Sequence, residues 1–133
     1  MTSIQRLRPQ GLVSSPAFSH VAVVPPGATT IYVGGQNAVD AAGALVGGTD
    51  VAAQSTRALA NAKTALEAAG ATLADVVQWT VLFVDGADIA AAYGAIACQL
   101  ASDEPALITA ARVAGLGVPG ALVEIAAIAA VVR

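Results

Sequence analysis

The chain has 133 residues, of which 56% are apolar and only 11% are charged, and its formal net charge is −3. This length suits a single domain, and the high apolar fraction excludes intrinsic disorder because the chain can bury enough surface to fold. The six basic residues form no patch or stripe, which excludes the electrostatic footprint of a nucleic-acid-binding protein.

The N-terminal part of the chain carries the signals of three short strands. Runs rich in β-branched and aromatic residues alternate with turn signals, chiefly Pro25-Pro26-Gly27 and Asp40–Gly43. They predict an antiparallel meander whose strands are Phe18–Val24, Thr29–Val33 and Ala44–Val46.

A helix is predicted after this meander, because apolar residues begin to recur at helical spacing. Thr49 or Asp50 can cap its N-terminus, and Gly70 stands where a glycine commonly ends a helix. Gln54 and Asn61 lie largely outside the apolar stripe of this helix.

The rest of the chain predicts a strand, a second helix and two further strands. These are Val76–Val84, a helix from the cap Asp88 to about Leu100, then Leu107–Ala114 and Leu122–Val131. The last strand is apolar on both faces, with Glu124 as its one charge. Two helices cover only one face of a sheet, so we expect the sheet of another subunit against the other face.

One apolar stretch tests the possibility of a membrane segment. Val113–Val132 carries a single charge, but glycines and Pro119 interrupt its first half and break a spanning helix. The N-terminal residues also lack the apolar core of a signal peptide. We therefore expect a soluble, cytoplasmic protein that does not bind a membrane.

Short motifs along nearly the whole chain, from about Gly11 to Val131, are similar to those of one family. They are Ser15–Phe18 (SPAF), Ile31–Gln36 (IYVGGQ), Gly43–Val46 (GALV), Asp50–Gln54 (DVAAQ), Ala58–Asn61 (ALAN), Ala68–Ala71 (AAGA), Asp75–Val77 (DVV) and Val123–Ile125 (VEI). By their joint order and spacing, the chain resembles the RidA/YjgF family of reactive intermediate deaminases.

The resemblance implies a chorismate-mutase-like α+β fold over a single domain, residues 1–133. It implies a mixed six-stranded sheet with two helices on one face, assembled as a homotrimer around a central β-barrel. The family's clefts lie between subunits and bind small molecules. Its best-known members hydrolyse enamines and imines to 2-oxo acids and ammonia without a metal or an organic cofactor.

The resemblance also implies a substrate-binding arginine on the penultimate strand, within a pattern like Pro-Ala-Arg-Thr-x-Val. With one residue inserted after Pro105-Ala106, the arginine position is Ile108, followed by Thr109 and Ala110. Isoleucine cannot make the bidentate contact of arginine with a carboxylate, which puts 2-imino acids in doubt as substrates. Arg112 shares the strand face of Ile108 and is the candidate replacement, although a structural role at the barrel mouth or between subunits is favoured.

Glu124 matches the family glutamate that positions the attacking water. A carboxyl group in an apolar strand is a candidate for proton transfer; the alternative is a structural role across the trimer seam. Gly34 and Gly35 match a pair whose backbone faces the ligand, or they simply bend the strand. Phe18 and Tyr93 fall at substrate-binding positions, although ordinary packing is favoured for both.

Two residues that often carry chemistry occur once each. Cys98 is the only cysteine and His20 the only histidine, which excludes a disulfide framework, a multi-cysteine metal site and a His-based metal cluster. We expect Cys98 to be a core thiol and His20 to be at the surface or partly buried.

Two functions from different classes remain open. The first is an enzyme that hydrolyses an enamine or imine of atypical specificity, with Glu124 as the catalytic residue. The second is a trimer of the same fold that binds a metabolite without converting it, which the missing arginine favours. An endoribonuclease, another activity named for the family, is disfavoured by the acidic chain and its lone histidine.

Overall fold

The computed structural model describes residues 3–133, so positions 1 and 2 of the predicted domain lie outside the described part. It contains six strands: β1 Gln5–Leu7, β2 Val21–Val23, β3 Thr29–Gln36, β4 Val76–Val84, β5 Leu107–Val113 and β6 Val123–Val131. Its helices are α1 Val51–Ala68, α2 Ile89–Leu100 and the short 3₁₀ helix Leu73–Asp75. This content confirms the predicted α+β class.

The six strands are divided between two sheets rather than joined in one. Strands β1 and β2 form an antiparallel pair, and the other four lie in the order β3-β6-β4-β5. Strand β6 runs antiparallel to both β3 and β4, whereas β4 and β5 are parallel and are connected through α2. Pro25 and Pro26 follow β2 after a single residue, Val24, and since proline has no backbone N–H to donate, a ladder between β2 and β3 is disfavoured there.

The predicted N-terminal meander is wrong in its pairing. Strand β3 pairs with β6 instead of with its sequence neighbours, and the predicted strand Ala44–Val46 is reduced to one bridge between Val39 and Leu45. The Asp40 carboxylate accepts hydrogen bonds from the backbone N–H groups of Ala42 and Ala44, both at 2.9 Å. These bonds close a tight turn between the two bridged residues.

Both helices begin directly after capping residues that were predicted from the sequence. Asp50, rather than Thr49, caps α1 by accepting from the N–H groups of Ala52 at 2.9 Å and Ala53 at 3.3 Å. Gly70 follows α1 with φ +77, a conformation that glycine adopts without strain. Asp88 caps α2 through the N–H of Ala91 at 3.1 Å.

The hydrophobic core lies between the two helices and one face of the four-stranded sheet, which we call the core face. The sheet contributes alternate residues, among them Val33, Trp79, Val81, Phe83, Val123, Ile125 and Ala127. Helix α1 contributes Ala58, Leu59, Ala62 and Leu66, and α2 contributes Ala92 and Ile96. Trp79 is therefore a core residue, as predicted.

The opposite face of this sheet, which we call the open face, is formed by the residues that alternate with those of the core. Its centre consists of Thr80, Leu82, Glu124, Ala126 and Ile128, all half-buried. Tyr32 of β3 stands opposite Ile128 and is 77% exposed. The prediction that β6 is apolar on both faces is thus confirmed.

We expect Leu59→Ala to lower the free energy of unfolding by about 2 to 5 kcal/mol, because it leaves a cavity between α1 and the sheet. Leu59 is 1% exposed. The matched control is Leu12→Ala, the same truncation at a side chain that is 53% exposed, where a change within about 0.5 kcal/mol is expected. Denaturant unfolding of both variants checks this, and equal losses would contradict the assignment of the core.

Candidate functional site

Glu124 lies on the open face with its carboxyl group directly over Gly35. A Cβ atom built on Gly35 would lie 2.5 Å from Glu124 Oε2 and 2.6 Å from Glu124 Cδ. Position 35 therefore accepts no side chain while the glutamate keeps this conformation. The structure brings the predicted residues Glu124 and Gly35 together.

The glycine pair coincides with an irregularity of β3. The pairing with β6 shifts between Val33, which lies opposite Ala127, and Gln36, which lies opposite Ile125. Gly34 and Gly35 occupy the interruption, so the strand bulges at that point. A Cβ on Gly34 would meet nothing within 4 Å, so only Gly35 is required to be small.

Buried amide side chains hold the segment that leads into Glu124. Gln54 of α1 is fully buried, and its Oε1 accepts from the N–H of Leu122 at 2.8 Å. The Nδ2 of Asn37, a residue 8% exposed, donates to the carbonyl of Val123 at 3.1 Å. Sequence reasoning placed Gln54 outside the apolar stripe and did not single out Asn37, because these partners are distant along the chain.

Strand β5 sends alternate residues to the two faces of the sheet, and its register with β4 decides which. Thr109 lies opposite Thr80, so it is on the open face, and Gln78 Nε2 donates to its hydroxyl at 3.4 Å. Ile108 lies opposite the buried Trp79 and packs against the core cluster. The structure therefore brings Thr109 to the face of Glu124 and places Ile108 on the other face, with Ala110 in line with it.

This register bears on the position of the family arginine. Leu107 lies opposite Gln78 and is on the open face with Thr109. It also follows Pro105-Ala106 directly, which is where the family pattern has its arginine when no residue is inserted. Leu107 is thus a second candidate for the arginine position beside Ile108, and it is not basic either.

Arg112 lies on the same strand face as Ile108, as the sequence indicated. It stands opposite Phe83 of the core face, and its Nη1 donates to the carbonyl of Ala87 at 3.0 Å. Within this chain the guanidinium is therefore directed to the loop before α2, away from Glu124.

Phe18 lies in the segment before β2, and Tyr93 lies on α2. The Phe18 ring packs edge-on against His20 with centroids 5.4 Å apart, and the Nε2 of His20 donates to the carbonyl of Val13 at 2.7 Å. His20 is half-buried, as predicted.

Tyr93, 40% exposed, lines a cavity of about 340 Å³ between α2 and the segment before β2, together with Ala17 and Cys98. Cys98 is exposed. The prediction of a core thiol is wrong, because α2 turns this position toward the cavity instead of the sheet.

A second cavity, of about 390 Å³, lies at the C-terminal end of α2, where it shares Leu100 with the first, and is lined by Arg6, Lys63, Trp79 and Glu104 among others. It contains none of the predicted site residues. Among residues 3–133, no group of three or more His, Cys, Asp or Glu side chains is placed to hold a metal ion. No helix in the described part of the chain has the length and apolar character needed to cross a membrane.

A profile of the family described as endoribonuclease L-PSP matches residues 10–131. The chain belongs to this family, which is also called YjgF/RidA. A search of curated protein sequences gives no match.

Solved structures of the family share this fold. The Rid-family protein YyfB of Yersinia pestis is 36% identical over 97% of this chain and 98% of its own, with a TM-score of 0.82. The YjgF protein of E. coli is 32% identical over 83% of this chain and 85% of its own, with a TM-score of 0.69. E. coli TdcF, solved with bound serine, is 28% identical over 83% of this chain and 84% of its own, with a TM-score of 0.66.

Proposed function

We propose that this RidA-like protein hydrolyses a reactive enamine or imine, with Glu124 as the catalytic residue. The observation that carries the proposal is the Glu124 carboxyl group, seated over Gly35 on the open face of the sheet. The site uses no metal and no organic cofactor in this proposal. The substrate is a small molecule with less negative charge than a 2-imino acid, because neither Leu107 nor Ile108 supplies the family's arginine.

The proposed reaction adds water across the C=N bond and then releases ammonia. The imine nitrogen first takes a proton from solvent, and Glu124 accepts a proton from the water as the water oxygen bonds to the iminium carbon. In the tetrahedral carbinolamine the proton held by Glu124 passes to the nitrogen. The C–N bond then breaks as the hydroxyl group becomes the carbonyl, and its proton returns to solvent through Glu124. One water is consumed, one carbonyl compound and one ammonia are formed, and no electrons are transferred. A positioned carboxylate can serve as both base and acid in this sequence.

The proposal includes a cytoplasmic homotrimer with a central barrel and clefts between subunits. Support comes from the open face, where Leu82, Ala126 and Ile128 leave an apolar surface beside the exposed ring of Tyr32. A face of this kind is typical of a surface that another subunit covers. A cleft between subunits would also allow Phe18, Tyr93, Ala110 and Arg112 of one copy to meet Glu124 of another.

A second candidate is a trimer that binds a small metabolite without converting it. The missing arginine on the open face of β5 favours it, because loss of the carboxylate contact removes one of the means of orienting a substrate. TdcF, a structural relative, was solved with bound serine. Binding of a metabolite without turnover would support this second candidate.

The test compares two imines generated in the assay, 2-iminobutanoate and its amide, which differ in the carboxylate. We expect the native protein to accelerate ammonia release from the amide more than from the carboxylate. Failure to accelerate either imine above its spontaneous rate would contradict the proposed enzyme and favour the binding function.

Leu107→Arg is expected to raise turnover of 2-iminobutanoate by about 10- to 100-fold, the effect of a charge-assisted contact with a carboxylate. Ile108→Arg is the matched control, because it places the same charge on the core face and is expected to destabilise the protein without this gain. Ammonia release and thermal unfolding are measured for both. A gain in Ile108→Arg alone would contradict the assignment of faces.

A further inference from the structure

The two residues before Glu124 are each held by a side-chain amide from outside the sheet. Gln54 binds the N–H of Leu122, and its Nε2 also donates to the carbonyls of Gly48 at 2.7 Å and Gly120 at 3.1 Å. Gln54 thus ties the loop before β6 to α1. Asn37 binds the carbonyl of Val123, whose peptide group ends at the nitrogen of Glu124.

Asn37 is itself held by a chain of hydrogen bonds that reaches α1. The Nδ2 of Asn61 donates to the backbone carbonyls of Asn37 at 3.0 Å and Val39 at 2.9 Å. The Nε of Arg57, one turn earlier in α1, donates to Oδ1 of Asn61 at 3.1 Å. We call these three side chains, Asn37, Asn61 and Arg57, the amide relay.

The relay acts where the backbone ladder of β3 and β6 stops. The last paired position is Gln36 with Ile125, after the bulge at Gly34 and Gly35. Beyond it, the carbonyl of Val123 has no strand partner on the β3 side and bonds to the side chain of Asn37 instead. The peptide plane between Val123 and Glu124 sets the direction in which the glutamate side chain leaves the strand.

We propose that the amide relay positions the Glu124 carboxyl over Gly35. Asn37 fixes the peptide plane that precedes Glu124, and Asn61 and Arg57 fix Asn37. The relay is a positioning device and touches no substrate. Its catalytic importance rests on the proposed function of Glu124, whereas its effect on the geometry of Glu124 does not.

The alternative is that the relay only contributes to stability, since satisfied buried amides do so in any fold. The two roles differ in what happens to Glu124 when a residue of the relay is replaced and the protein still folds. A positioning role requires the environment of its carboxyl to change. A purely structural role leaves that environment as it is in the native protein.

The composition of the chain permits a direct measurement of the Glu124 carboxyl. Glu67, Glu104 and Glu124 are its only glutamates, so labelling glutamate with ¹³C at Cδ gives three carboxyl signals, assigned with Glu124→Gln. The variants are Asn37→Ala and Asn61→Ala. The control is Thr64→Ala on the same helix, which removes a hydroxyl bonded only to the carbonyl of Ala60.

In Asn37→Ala and Asn61→Ala we expect the Glu124 signal to shift or broaden while those of Glu67 and Glu104 stay in place. Thr64→Ala changes none of the three. Turnover of the imine amide is expected to fall about 10- to 100-fold with little change in KM, as for a misplaced catalytic group. If the native protein hydrolyses neither imine, the proposed function fails, and the carboxyl signal still decides the role of the relay.

An unchanged Glu124 signal in a folded relay variant would overturn the proposal. If Asn37→Ala does not fold, Asn61→Ala decides, because Asn61 is only half-buried and its truncation removes the hydrogen bonds that hold the Asn37 and Val39 carbonyls.

Discussion

Glu124→Gln is expected to lower turnover of the imine amide by about 100- to 10,000-fold, the usual contribution of a positioned acid-base group. The amide of glutamine has nearly the shape of the carboxyl group but cannot accept the proton of the attacking water. Glu124 is half-buried, so a replacement of the same shape is expected to leave the fold intact. Ammonia release measures the effect, and far-UV circular dichroism with sedimentation establishes that fold and assembly are retained.

The matched control for this change is Glu67→Gln, which makes the same substitution at an exposed position of α1. It is expected to leave turnover within about twofold of the native value, since exposed substitutions away from special features have small effects. Turnover that survives in Glu124→Gln would show that the chemistry does not depend on this carboxyl.

Gly35→Ala is the second change with a large expected effect. The new Cβ would lie 2.5 Å from Oε2 of Glu124, so the carboxyl has to move or β3 has to shift. We expect turnover to fall about 10- to 100-fold through misplacement of the catalytic group. We expect the free energy of unfolding to fall by at most about 1 kcal/mol, because the atoms that the new Cβ meets are the far end of a flexible side chain, which can move aside.

The contact between Gly35 and Glu124 allows a double-mutant cycle. In the Glu124→Ala background the stability cost of Gly35→Ala should disappear, because the side chain that the new Cβ meets is gone. Gly34→Ala is the control for backbone effects, since a Cβ there meets nothing within 4 Å. An equal loss of stability in both backgrounds would place the strain in the β3 backbone instead of at Glu124.

Local signals in the sequence predicted most of the elements. The capping carboxylate of Asp50, Gly70 after the helix and the alternation within Val76–Val84 each depend on residues close together in the chain, and all three are confirmed. The same reasoning failed for the partner of β3. A strand's partner is decided by tertiary packing, and β6 lies about 90 residues further along the chain.

Only part of the candidate site could be predicted from the sequence, because some of its contacts join residues that are far apart in the chain. A glutamate in an apolar strand and a glycine pair are visible in the sequence, and the structure puts Glu124 and Gly35 in contact. Alternation also indicated that Ile108 and Arg112 share a face, but the register of β5 against β4 was needed to show that this face is not that of Glu124. The roles of Asn37 and Gln54 depend on hydrogen bonds across 86 and 68 residues, which no local pattern reveals.

The position of β6 in the sheet constrains when the protein can fold during its synthesis. Strand β6 comes last in the order of elements, yet it lies between β3 and β4 and pairs with both. Until residues 123–131 have left the ribosome, β3 has no partner strand and α1 has only part of the surface that it covers. The domain therefore folds after translation of β6 rather than progressively. A nascent chain that lacks β6 presents unpaired, apolar strands that are targets for chaperones.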